Sequence, residues 1–495
     1  MTTSSQVEPA AGPASASGVR RNGDNFQDLV AWTAAMRVIQ AGSDIHQLEI
    51  EINGVGNVDD VVLRRTQRGD SMCQVKWATS SAFMVDEDFL TGQVGNRKSL
   101  LQKFHHSYTL VRDPDRPPTL ELITNRGLDA THPLLGKIDG RTDMLVPFAA
   151  GAAPSSDAGK HLQTWADHVG VDRESLLEML HHLTFQTGRT VSSERDRAQV
   201  LMSAAGLNHD NAALTSGQQA VADWVRGGRR TLTPGDIHAV VDELDLTRTD
   251  ARAVLLVQAI DRDPHPEDAL ESVDWVDMYA GDAPGNRVQP HDPSAWEAMA
   301  SEVRDAAARL ESAGWSDILV RGAMRQATAF LVGTALPDVR RHRIHYVQRG
   351  QEWSTDTPST AVPQMETSTI TIGAGDDLAI VVNIAADATA DVTRYLREAL
   401  SPVGRLVALT PHGGTDDQLV AGPAHAVGYA QQVRQTARQA LNARPNDIEK
   451  VHLFLAGPGG FALLLGHRWN RMRPTLVYEH LGMGRGYTPA FNIPA

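Results

Sequence analysis

Two neighbouring segments near the N-terminus carry residue types that suit phosphodiester hydrolysis. In the first, Asp60 leads directly into an apolar run at 61–63, and in the second, Gln74 and Lys76 alternate with apolar residues. Carboxylate and amide oxygens are ligands for Mg²⁺, a hard cation that keeps several of its waters. A nearby lysine can hold a phosphate or lower the pKa of an attacking water. The combination predicts a metal-dependent phosphodiesterase site.

The spacing of these residues indicates the elements that must position them. The tripeptide Arg68-Gly69-Asp70 separates the two segments as a turn, so the segments predict a β-hairpin. Alternate side chains of a strand share a face, so Gln74 and Lys76 point the same way while Val75 points into a core. An aspartate at the start of the neighbouring strand would reach the same position. Asp59 competes with Asp60 for that role, and Asp60 fits better because strand residues follow it directly.

The sequence around the hairpin favours a site over a structural explanation. Taken alone, an aspartate that caps a turn and an exposed strand that ends in lysine explain the same residues. However, Lys76 follows an apolar run and precedes Trp77, an unusual place for a solvated ammonium group. Apolar residues recur at helical spacing over 26–39, and residues 48–52 alternate as a strand. One helix and three strands, with Asp on the second strand and Gln-x-Lys on the third, follow the order of a restriction-endonuclease-like core.

Longer segments extend this pattern to a known family. GDNFQDLVAW, EINGVGNVDDVVL, QVKWA, SLLQKF and LITNRG resemble the nuclease domain of the PD-(D/E)xK superfamily that is found fused to SAVED domains. The resemblance implies an α/β domain with an αβββαβ core, in which Asp60 and Gln74 bind the metal and Lys76 is the catalytic lysine. Glu51 is a third candidate metal ligand, and a solvent-facing strand residue is the alternative for it. Mg²⁺ is the expected cofactor, with Mn²⁺ as the alternative ion.

Gln74 occupies a position where an acidic residue would give the metal more negative charge. The substitution implies weaker metal binding, and a degenerate site stays open as an alternative. Basic residues cluster near the hairpin, and they would meet DNA phosphates or form a solvated face. The cluster comprises Arg64, Arg65, Arg68, Arg97, Lys98 and Lys103.

Length and composition limit the remaining function classes. A chain of 495 residues predicts two or three domains. The single cysteine, Cys73, excludes an internal disulfide framework and a zinc–cysteine cluster, and it favours the reducing cytoplasm. No apolar run approaches the roughly 18 residues of a membrane helix, so no membrane partner is expected. The net charge of −14 argues against constitutive nonspecific nucleic-acid binding but is compatible with a local basic groove.

Changes in composition and hydrophobic pattern along the chain predict four regions. Residues 1–18 are rich in Ala, Ser, Pro and Gly and predict a disordered tail. The nuclease domain is predicted over 19–156. Short amphipathic helices over 157–250 predict a helical spacer or clamp. Over 251–495, strands alternate with helices in two rounds, which predicts mostly parallel sheets in two Rossmann-like halves.

Two glycine-containing turns follow strands of the C-terminal half. Arg321-Gly322-Ala323 and Gly457-Pro458-Gly459-Gly460 would let the backbone approach a ligand, and the helix N-terminus behind each turn favours a phosphate. Neither turn is a dinucleotide-binding fingerprint or a P-loop. An ordinary tight turn remains the alternative for each.

The C-terminal half also resembles a known family. ESVDWVDMYAGD, LVRGAMRQATAFLVG, QRGQEW and HLFLAGPGGFALLLGHRWN…PTLVYEH resemble the SAVED domain, which consists of two fused CARF-like subdomains and binds cyclic oligonucleotides. The implied pocket is lined by turns after strands, with Arg321 or Arg325 pairing with phosphate and Trp353 stacking on a base. Core packing of Trp353 and an exposed helical position for Arg325 are the alternatives. The full candidate set is Arg321, Gly322, Arg325, Trp353, Thr410, Pro411, Gly457, Pro458 and Gly459.

Together, the two resemblances imply an effector nuclease of a CBASS-type antiviral system. A partner nucleotidyltransferase would make a cyclic di- or trinucleotide, its binding would drive self-association, and double-stranded DNA of loose sequence would be cut with Mg²⁺. Two alternatives stay open. One is a nucleotide-binding regulator whose nuclease site is dead, and the other is a modification-dependent restriction endonuclease whose C-terminal half reads modified DNA.

Overall fold

The computed structural model describes residues 16–495 except 53–57, 81, 141, 349–350, 400–401, 444–447 and 483. The chain divides into two compact units, Met1–Asp250 and Ala251–Ala495. Most of the predicted N-terminal tail lies outside the described residues, and the first helix begins at Ala16, inside the predicted tail. Over the described part of the chain, no helix is both long and apolar enough to cross a membrane.

The N-terminal unit combines helices with one large sheet and one small sheet. Its helices are α1 (Ala16–Val38), α2 (Glu87–Thr91), α3 (Leu100–Val111), α4 (Phe148–Gly151), α5 (Asp157–Val169), α6 (Arg173–Leu180), α7 (Val191–Ala204), α8 (Asn211–Arg226) and α9 (Pro234–Glu243). Its strands are β1 (Ile45–Ile50), β2 (Val61–Arg65), β3 (Ser71–Lys76), β4 (Met84–Val85), β5 (Thr119–Thr124), β6 (Gly127–Leu128), β7 (Leu183–Gln186) and β8 (Thr231–Leu232). The large sheet has the order β7-β5-β3-β2-β1-β8, and β4 pairs with β6.

The large sheet joins an antiparallel hairpin to a parallel set of strands. β1, β2 and β3 are antiparallel in turn, with Val61 of β2 opposite Cys73 of β3. β3, β5 and β7 are parallel. The helix α3 lies in the crossover between β3 and β5. Apart from the short elements β4 and α2, the order α1-β1-β2-β3-α3-β5 is the predicted αβββαβ order.

Apolar side chains of β2 and β3 pack on both faces of the hairpin. Cys73 and Val75 pack in a cluster with buried residues of α1, α7 and α8. Val62 and Met72 pack on the opposite face with buried residues of α3, α5 and α6. Because strand side chains alternate, Gln74 and Lys76 follow Met72 on its face, and Asp60 precedes Val62 on the same face. The hairpin therefore directs three polar side chains to one place.

The sequence of α3 explains where this covering helix begins and which face it buries. Ser99 and Gln102 form a capping box, in which each side chain accepts the backbone N–H of the other. Leu101, Phe104 and Tyr108 recur at helical spacing and are buried. The helix therefore packs by this stripe on the face of the sheet that carries Val62 and Met72.

The residues predicted as a helical spacer, 157–250, belong to the N-terminal unit. Their strand β7 extends the large sheet beside β5, and β8 pairs with β1 at the opposite edge. Their helices cover the two faces of the sheet and bury apolar surface that water would otherwise reach. The spacer prediction and the domain end at residue 156 are therefore corrected, because the fold closes only with these residues.

The C-terminal unit is an α/β structure with two sheets. Its helices are α10 (Ala295–Ser312), α11 (Gln326–Ala335), α12 (Thr389–Ala399), α13 (Pro423–Asn442) and α14 (Gly459–His467). The strands of the first sheet are β9 (Ala253–Gln258), β10 (Glu271–Asp274), β11 (Asp317–Arg321), β12 (Arg343–Gln348) and β13 (Gln351–Ser354). Those of the second are β14 (Met365–Thr371), β15 (Asp377–Asn383), β16 (Val403–Pro411), β17 (Val451–Ala456), β18 (Thr475–His480) and β19 (Tyr487–Ile493).

The two sheets confirm the predicted α/β class with two related halves. The first has the order β10-β9-β11-β12-β13 and the second β14-β16-β15-β17-β18-β19. In each sheet four neighbouring strands are parallel. The antiparallel strands β13, β14 and β19 lie at the edges, and the alternation of strands with helices did not predict them. The unit β11-α11-β12 of the first half corresponds to β17-α14-β18 of the second.

The helices α11 and α14 of the two halves contact each other through glycines. A Cβ atom on Gly333 would lie 2.1 Å from the carbonyl oxygen of Leu463, and one on Gly466 would lie 2.2 Å from that of Phe330. The atoms in the way belong to the backbone, so no side-chain rotation relieves the overlap. The helices would have to move apart within a close-packed core.

Gly466→Ala is expected to destabilise the C-terminal unit by about 1–3 kcal/mol or more, because overpacking a close backbone contact forces shifts in both helices. The expected loss of melting temperature is at least about 3 °C for a unit of this size. Gly459→Ala, in the first turn of the same helix, is the matched control, since the nearest atom to its Cβ would be 3.7 Å away. Equal melting temperatures for the two variants would contradict this packing.

Candidate functional sites

Asp60, Gln74 and Lys76 form one polar cluster in the N-terminal unit. Asp60 Oδ2 accepts hydrogen bonds from Gln74 Nε2 and from the backbone N–H of Val75, the latter at 2.7 Å. It also lies 3.6 Å from Lys76 Nζ. Gln74 is buried, whereas the Lys76 side chain is 37% exposed and reaches the surface. The structure thus brings together the three residues that the hairpin pattern selected.

Two further charged groups lie beside this cluster. Burial, followed by repulsion from Asp60, raises the pKa of Asp59, whereas Lys103 and Lys76 act to lower it. Burial also lowers the pKa of Lys76 and Lys103 adds to this effect, although Asp60 and Asp59 oppose it. The sequence analysis placed Lys103 of α3 only in a basic surface cluster. Asp60 rather than Asp59 makes the contacts with Gln74 and Lys76, as the strand pattern predicts.

The oxygen atoms of the cluster fit a hard divalent cation. Gln74 Oε1 is buried without a hydrogen-bond partner among the described residues, while Nε2 of the same amide faces Asp60. Half a turn of the amide exchanges its oxygen and nitrogen and places Oε1 beside the Asp60 carboxylate. Asp60 and Gln74 would then hold the cation with two oxygens, and water would complete the shell, as Mg²⁺ prefers.

Glu51 does not join the cluster. Its Oε2 accepts a hydrogen bond from Arg230 at 2.7 Å, and its Oε1 accepts one from Gln27 at 3.1 Å. The backbone at Glu51 has a φ of 48°, in the left-handed region, so the alternation of β1 ends there. The backbone N–H of Glu51 donates to the carbonyl oxygen of Asp60 at 3.1 Å, but over the described part of the chain no ion pair joins the Glu51 carboxylate to Lys76. The structure therefore places this third candidate ligand in a separate ion pair.

The arginines at the tip of the hairpin are engaged with acidic residues of the same region. The ion pairs are Arg64–Glu49, Arg64–Asp70, Arg65–Asp44 and Arg68–Asp44, at 2.8, 2.9, 2.5 and 3.0 Å. Each carboxylate offsets positive charge that the sequence pattern left open for DNA phosphates. These pairs therefore favour a structural role for the tip.

A second cluster of residue types that bind metals lies elsewhere in the N-terminal unit and consists of Glu87, His132 and His161. Glu87 Oε2 lies 3.1 Å from His161 Nδ1 and 3.6 Å from His132 Nε2, and Trp165 Nε1 donates to Glu87 Oε1 at 3.1 Å. However, His132 Nδ1 accepts the backbone N–H groups of residues 134 and 135 at 3.2 Å. The proton of the neutral ring therefore lies on Nε2, which leaves no lone pair there for a metal. Burial, followed by repulsion from His161, lowers the pKa of His132 and favours this neutral form.

In the C-terminal unit, Arg321 and Arg325 are held by protein groups. Arg321 Nη2 lies 2.6 and 2.7 Å from the two carboxylate oxygens of Asp263. Arg325 Nε donates to the carbonyl oxygen of Arg287 at 2.8 Å, and its Nη2 donates to that of Gly285 at 3.2 Å. The charge of Arg321 is therefore neutralised by Asp263. Arg325 links the start of α11 to the loop that precedes α10 through hydrogen bonds. The predicted role of either in binding phosphate requires these contacts to open.

Trp353 is a core residue, which corrects its predicted role in stacking on a base. It is 4% exposed, and a Cβ on Gly460 would lie 2.6 Å from its Cε3. Its ring therefore packs β13 against the first turn of α14. Thr410 accepts a hydrogen bond from Asn383 Nδ2 at 3.1 Å, and Pro411 is buried at the end of β16.

The glycines of the two predicted turns lie in different structural environments. Gly322 has a φ of 110°, and a Cβ there would lie 2.1 Å from the carbonyl oxygen of Val257, so the turn itself requires glycine. The carbonyl oxygen of Gly457 accepts a hydrogen bond from Gln326 Nε2. Pro458 is the N-cap of α14, and a Cβ on Gly459 would make ordinary contacts with Gln348 Oε1 at 3.7 Å and the Tyr346 hydroxyl at 3.8 Å. Packing therefore does not require glycine at this position.

The N-termini of α11 and α14 are each capped by a side chain from the opposite half. The N–H of Ala327 donates to Glu479 Oε2 of β18 at 3.0 Å, and the N–H of Gly460 donates to Gln348 Oε1 of β12 at 2.6 Å. Burial raises the pKa of Glu479 to about 7. In open α/β sheets ligands bind at the carboxyl ends of parallel strands, where both caps lie. Neither cap is predictable from the sequence, since Glu479 is embedded in an apolar run.

A family model matches most of the C-terminal unit. Residues 287–493 match SAVED, the "SMODS-associated and fused to various effectors sensor domain", so this unit carries a SAVED domain. The chain as a whole is similar to CD-NTase-associated protein 4 of Enterobacter hormaechei subsp. hoffmannii (strain UCI 50). The two are 23% identical over 517 residues, which cover 95% of this chain and 98% of that protein.

Similar solved structures are SAVED/CARF-domain containing receptors called Cap4. The receptor of Acinetobacter baumannii with the cyclic trinucleotide 3'3'3'-cAAA is 13% identical, with a TM-score of 0.47 over 96% of this chain and 99% of that chain. The same receptor with 2'3'3'-cAAA gives the same values. The receptor of Moraxella osloensis is less similar, with a TM-score of 0.43 over 95% of this chain and 99% of that chain.

Proposed function

We propose that this chain is a CBASS-type effector in which a cyclic oligonucleotide activates a metal-dependent DNA endonuclease. The observation that carries the proposal is the Asp60–Gln74–Lys76 cluster in a chain that also carries a SAVED sensor domain. The cluster has the residue types for phosphodiester hydrolysis, and the sensor domain gives the reaction a reason to be controlled. The combination favours a regulated enzyme over an isolated binding module.

At the nuclease site, the residues of this chain divide the tasks of hydrolysis. Asp60 and Gln74 would hold the divalent cation, which when bound supplies charge neutralisation and a more acidic water. Lys76 has its pKa lowered by burial, so it exchanges a proton more readily than an exposed lysine. It is placed to hold the scissile phosphate or to take the proton of the attacking water. Lys103 adds positive charge that offsets Asp59 as a phosphate approaches.

In the SAVED domain, the ligand is a cyclic di- or trinucleotide that a partner nucleotidyltransferase would supply. A ligand shifts a conformational equilibrium only by its differential affinity for the two states. The chain carries a net charge of −14, so one copy binds DNA weakly. Self-association on ligand binding would join several nuclease units and raise their effective concentration on DNA. Under this coupling, a single copy that binds DNA weakly would stay inactive until the cyclic nucleotide binds.

One member of a panel of cyclic di- and trinucleotides is expected to raise the melting temperature of the full chain. A ligand at 100 times its Kd stabilises the folded state by about 2.7 kcal/mol, or roughly 5–10 °C for a unit of this size. Linear di- and trinucleotides of the same bases with a 5′-phosphate are the control, since they carry the same number of phosphates without the ring. If no cyclic member shifts the transition, the sensing half of the proposal fails.

A regulator without nuclease activity is the second candidate, and Gln74 favours it. A neutral amide in place of a carboxylate removes one negative charge from the metal site and weakens its hold on a cation. For such a regulator, the cyclic nucleotide would bind and supercoiled plasmid would stay intact with both Mg²⁺ and Mn²⁺. Cleavage by the ligand-bound chain would exclude it.

A further inference from the structure

A cavity rich in arginine lies beside the C-terminal half of α13. Its volume is about 510 Å³, and Arg434 and Arg438 of α13 line it together with Arg468, the residue after α14. Asp338 is the acid among its described lining residues, and the others are amide side chains. The glycine turn expected to bind the cyclic nucleotide lies at the opposite end of α14, roughly 13 Å away along nine residues of helix. The cavity is therefore a separate place in the domain.

Within the described ranges, Arg434 and Arg438 have donors without acceptors, whereas Arg468 donates to the carbonyl oxygens of Leu464 and Thr355 at 3.3 and 3.1 Å. Arg434 Nη2 donates to the side chain and the carbonyl oxygen of Asn470 at 3.1 and 3.3 Å, but its Nε is buried without a partner among the described residues. Arg438 is exposed, and over the described part of the chain its side chain has no ion pair or hydrogen bond. A buried donor without an acceptor is costly, and an acceptor that entered the cavity would remove the cost.

The positive charge of the cavity is also poorly balanced. Burial lowers the pKa of Arg434, and the neighbouring Arg438 contributes to the same shift. Burial lowers the pKa of Arg468, and Arg434 contributes. Asp338 opposes both shifts, but its side chain is 67% exposed and it also faces His467 at 3.9 Å. Asp356 also opposes the shift of Arg468, so three guanidinium groups face two carboxylates, of which Asp338 alone is among the described residues that line the cavity.

We propose that this cavity binds the phosphate groups of a small phosphorylated molecule. The guanidinium fork matches two phosphate oxygens at once, and Arg438 at the surface can close on a second phosphate. The volume lies within the range of small-molecule sites. The amides of Gln431, Gln435 and Gln439 can donate to and accept from a ribose or a base. A nucleoside triphosphate and free polyphosphate share this chemistry.

Calorimetric titration of the full chain with tripolyphosphate, ATP and adenosine tests the site. Tripolyphosphate and ATP are expected to bind saturably, and adenosine is not. Tighter binding of ATP would identify a nucleotide as the ligand class, and equal binding would identify the phosphates alone. Arg438→Gln is expected to weaken binding at least about tenfold, since it removes a charge-assisted contact. Arg394→Gln on α12 is the matched control, because it removes the same charge from an exposed arginine paired with Asp391.

Arg438→Glu is the second variant, and it should abolish binding through charge reversal. Both variants are expected to keep the wild-type melting temperature, because Arg438 is exposed and makes no contact that the fold needs. The site is overturned if neither tripolyphosphate nor ATP binds saturably, if adenosine binds as well as ATP, or if both Arg438 variants bind like wild type. An equal loss with Arg394→Gln would also overturn it. ATP held at the cyclic-nucleotide site would survive both Arg438 variants and would count against the cavity.

Discussion

Lys76→Ala is expected to reduce DNA cleavage by about 10²–10⁴-fold, the range over which a positioned acid–base group contributes. Lys76 Nζ lies 3.6 Å from Asp60, and burial lowers its pKa, so alanine removes both the positive charge and the proton carrier. The assay is cleavage of supercoiled plasmid by the full chain with Mg²⁺ and its activating cyclic nucleotide. The shift in melting temperature caused by that nucleotide should be unchanged.

Lys160→Ala provides the matched control for this variant. Lys160 is an exposed lysine on α5 whose ion pair among the described residues is with Asp157 at 3.1 Å, so its loss removes the same charge from the same unit at a solvated position. Its cleavage rate should equal that of the wild type. If Lys76→Ala cut plasmid at the wild-type rate, the assignment of the cluster would be wrong. If it lost nucleotide binding as well, the loss of cleavage would reflect a damaged fold.

Glu479→Gln is expected to stabilise the chain by about 3 kcal/mol at pH 8, with little effect near pH 4.5. Burial raises the pKa of Glu479 from 4.5 to about 7. The folded state therefore binds the proton more tightly than the unfolded state. Its contribution to stability is full below pH 4.5 and is lost as the pH rises through 7. Glutamine stays neutral and keeps an oxygen for the N–H of Ala327.

The measurement is denaturant unfolding of both proteins between pH 4.5 and pH 8. Glu297→Gln is the control, because Glu297 has a side chain that is 68% exposed and its neutralisation should give no comparable pH-dependent difference. A Glu479→Gln variant that was less stable than wild type at pH 8 would contradict a buried, proton-binding carboxyl group. So would a difference that did not change with pH.

The Asp60–Gln74–Lys76 cluster could be predicted because its geometry is local. The period of two places Gln74 and Lys76 on one face and Val75 on the other, and the structure follows that alternation. Glu51 shows where the rule stops. Its φ of 48° ends the alternation, and its partner Arg230 lies 179 positions away in the sequence. Neither the turn nor the pairing is encoded in the spacing of nearby residues.

Two of the C-terminal candidates show where long-range packing decides the environment of a residue. Trp353 has an aromatic side chain that could stack on a base, but its ring packs closely against Gly460 and is part of the core. Arg321 has the positive charge to bind a phosphate, but its guanidinium group forms an ion pair with Asp263. The strands β7 and β8 are too short to show a strand pattern, and only their pairing partners in the large sheet define them. The fold class was predictable from alternating elements, whereas these partners depend on tertiary contacts.

We propose that a cyclic oligonucleotide switches on DNA cleavage by the Asp60–Gln74–Lys76 cluster. The most direct measurement incubates the full chain with unmodified supercoiled plasmid under four conditions, with and without Mg²⁺ and with and without the cyclic nucleotide that raises its melting temperature. Plasmid should be degraded only when both are present. Plasmid that stayed intact with both present would contradict the claim and favour a regulator. In a parallel incubation with modified plasmid, cleavage of that plasmid alone and without any nucleotide would favour a restriction endonuclease instead.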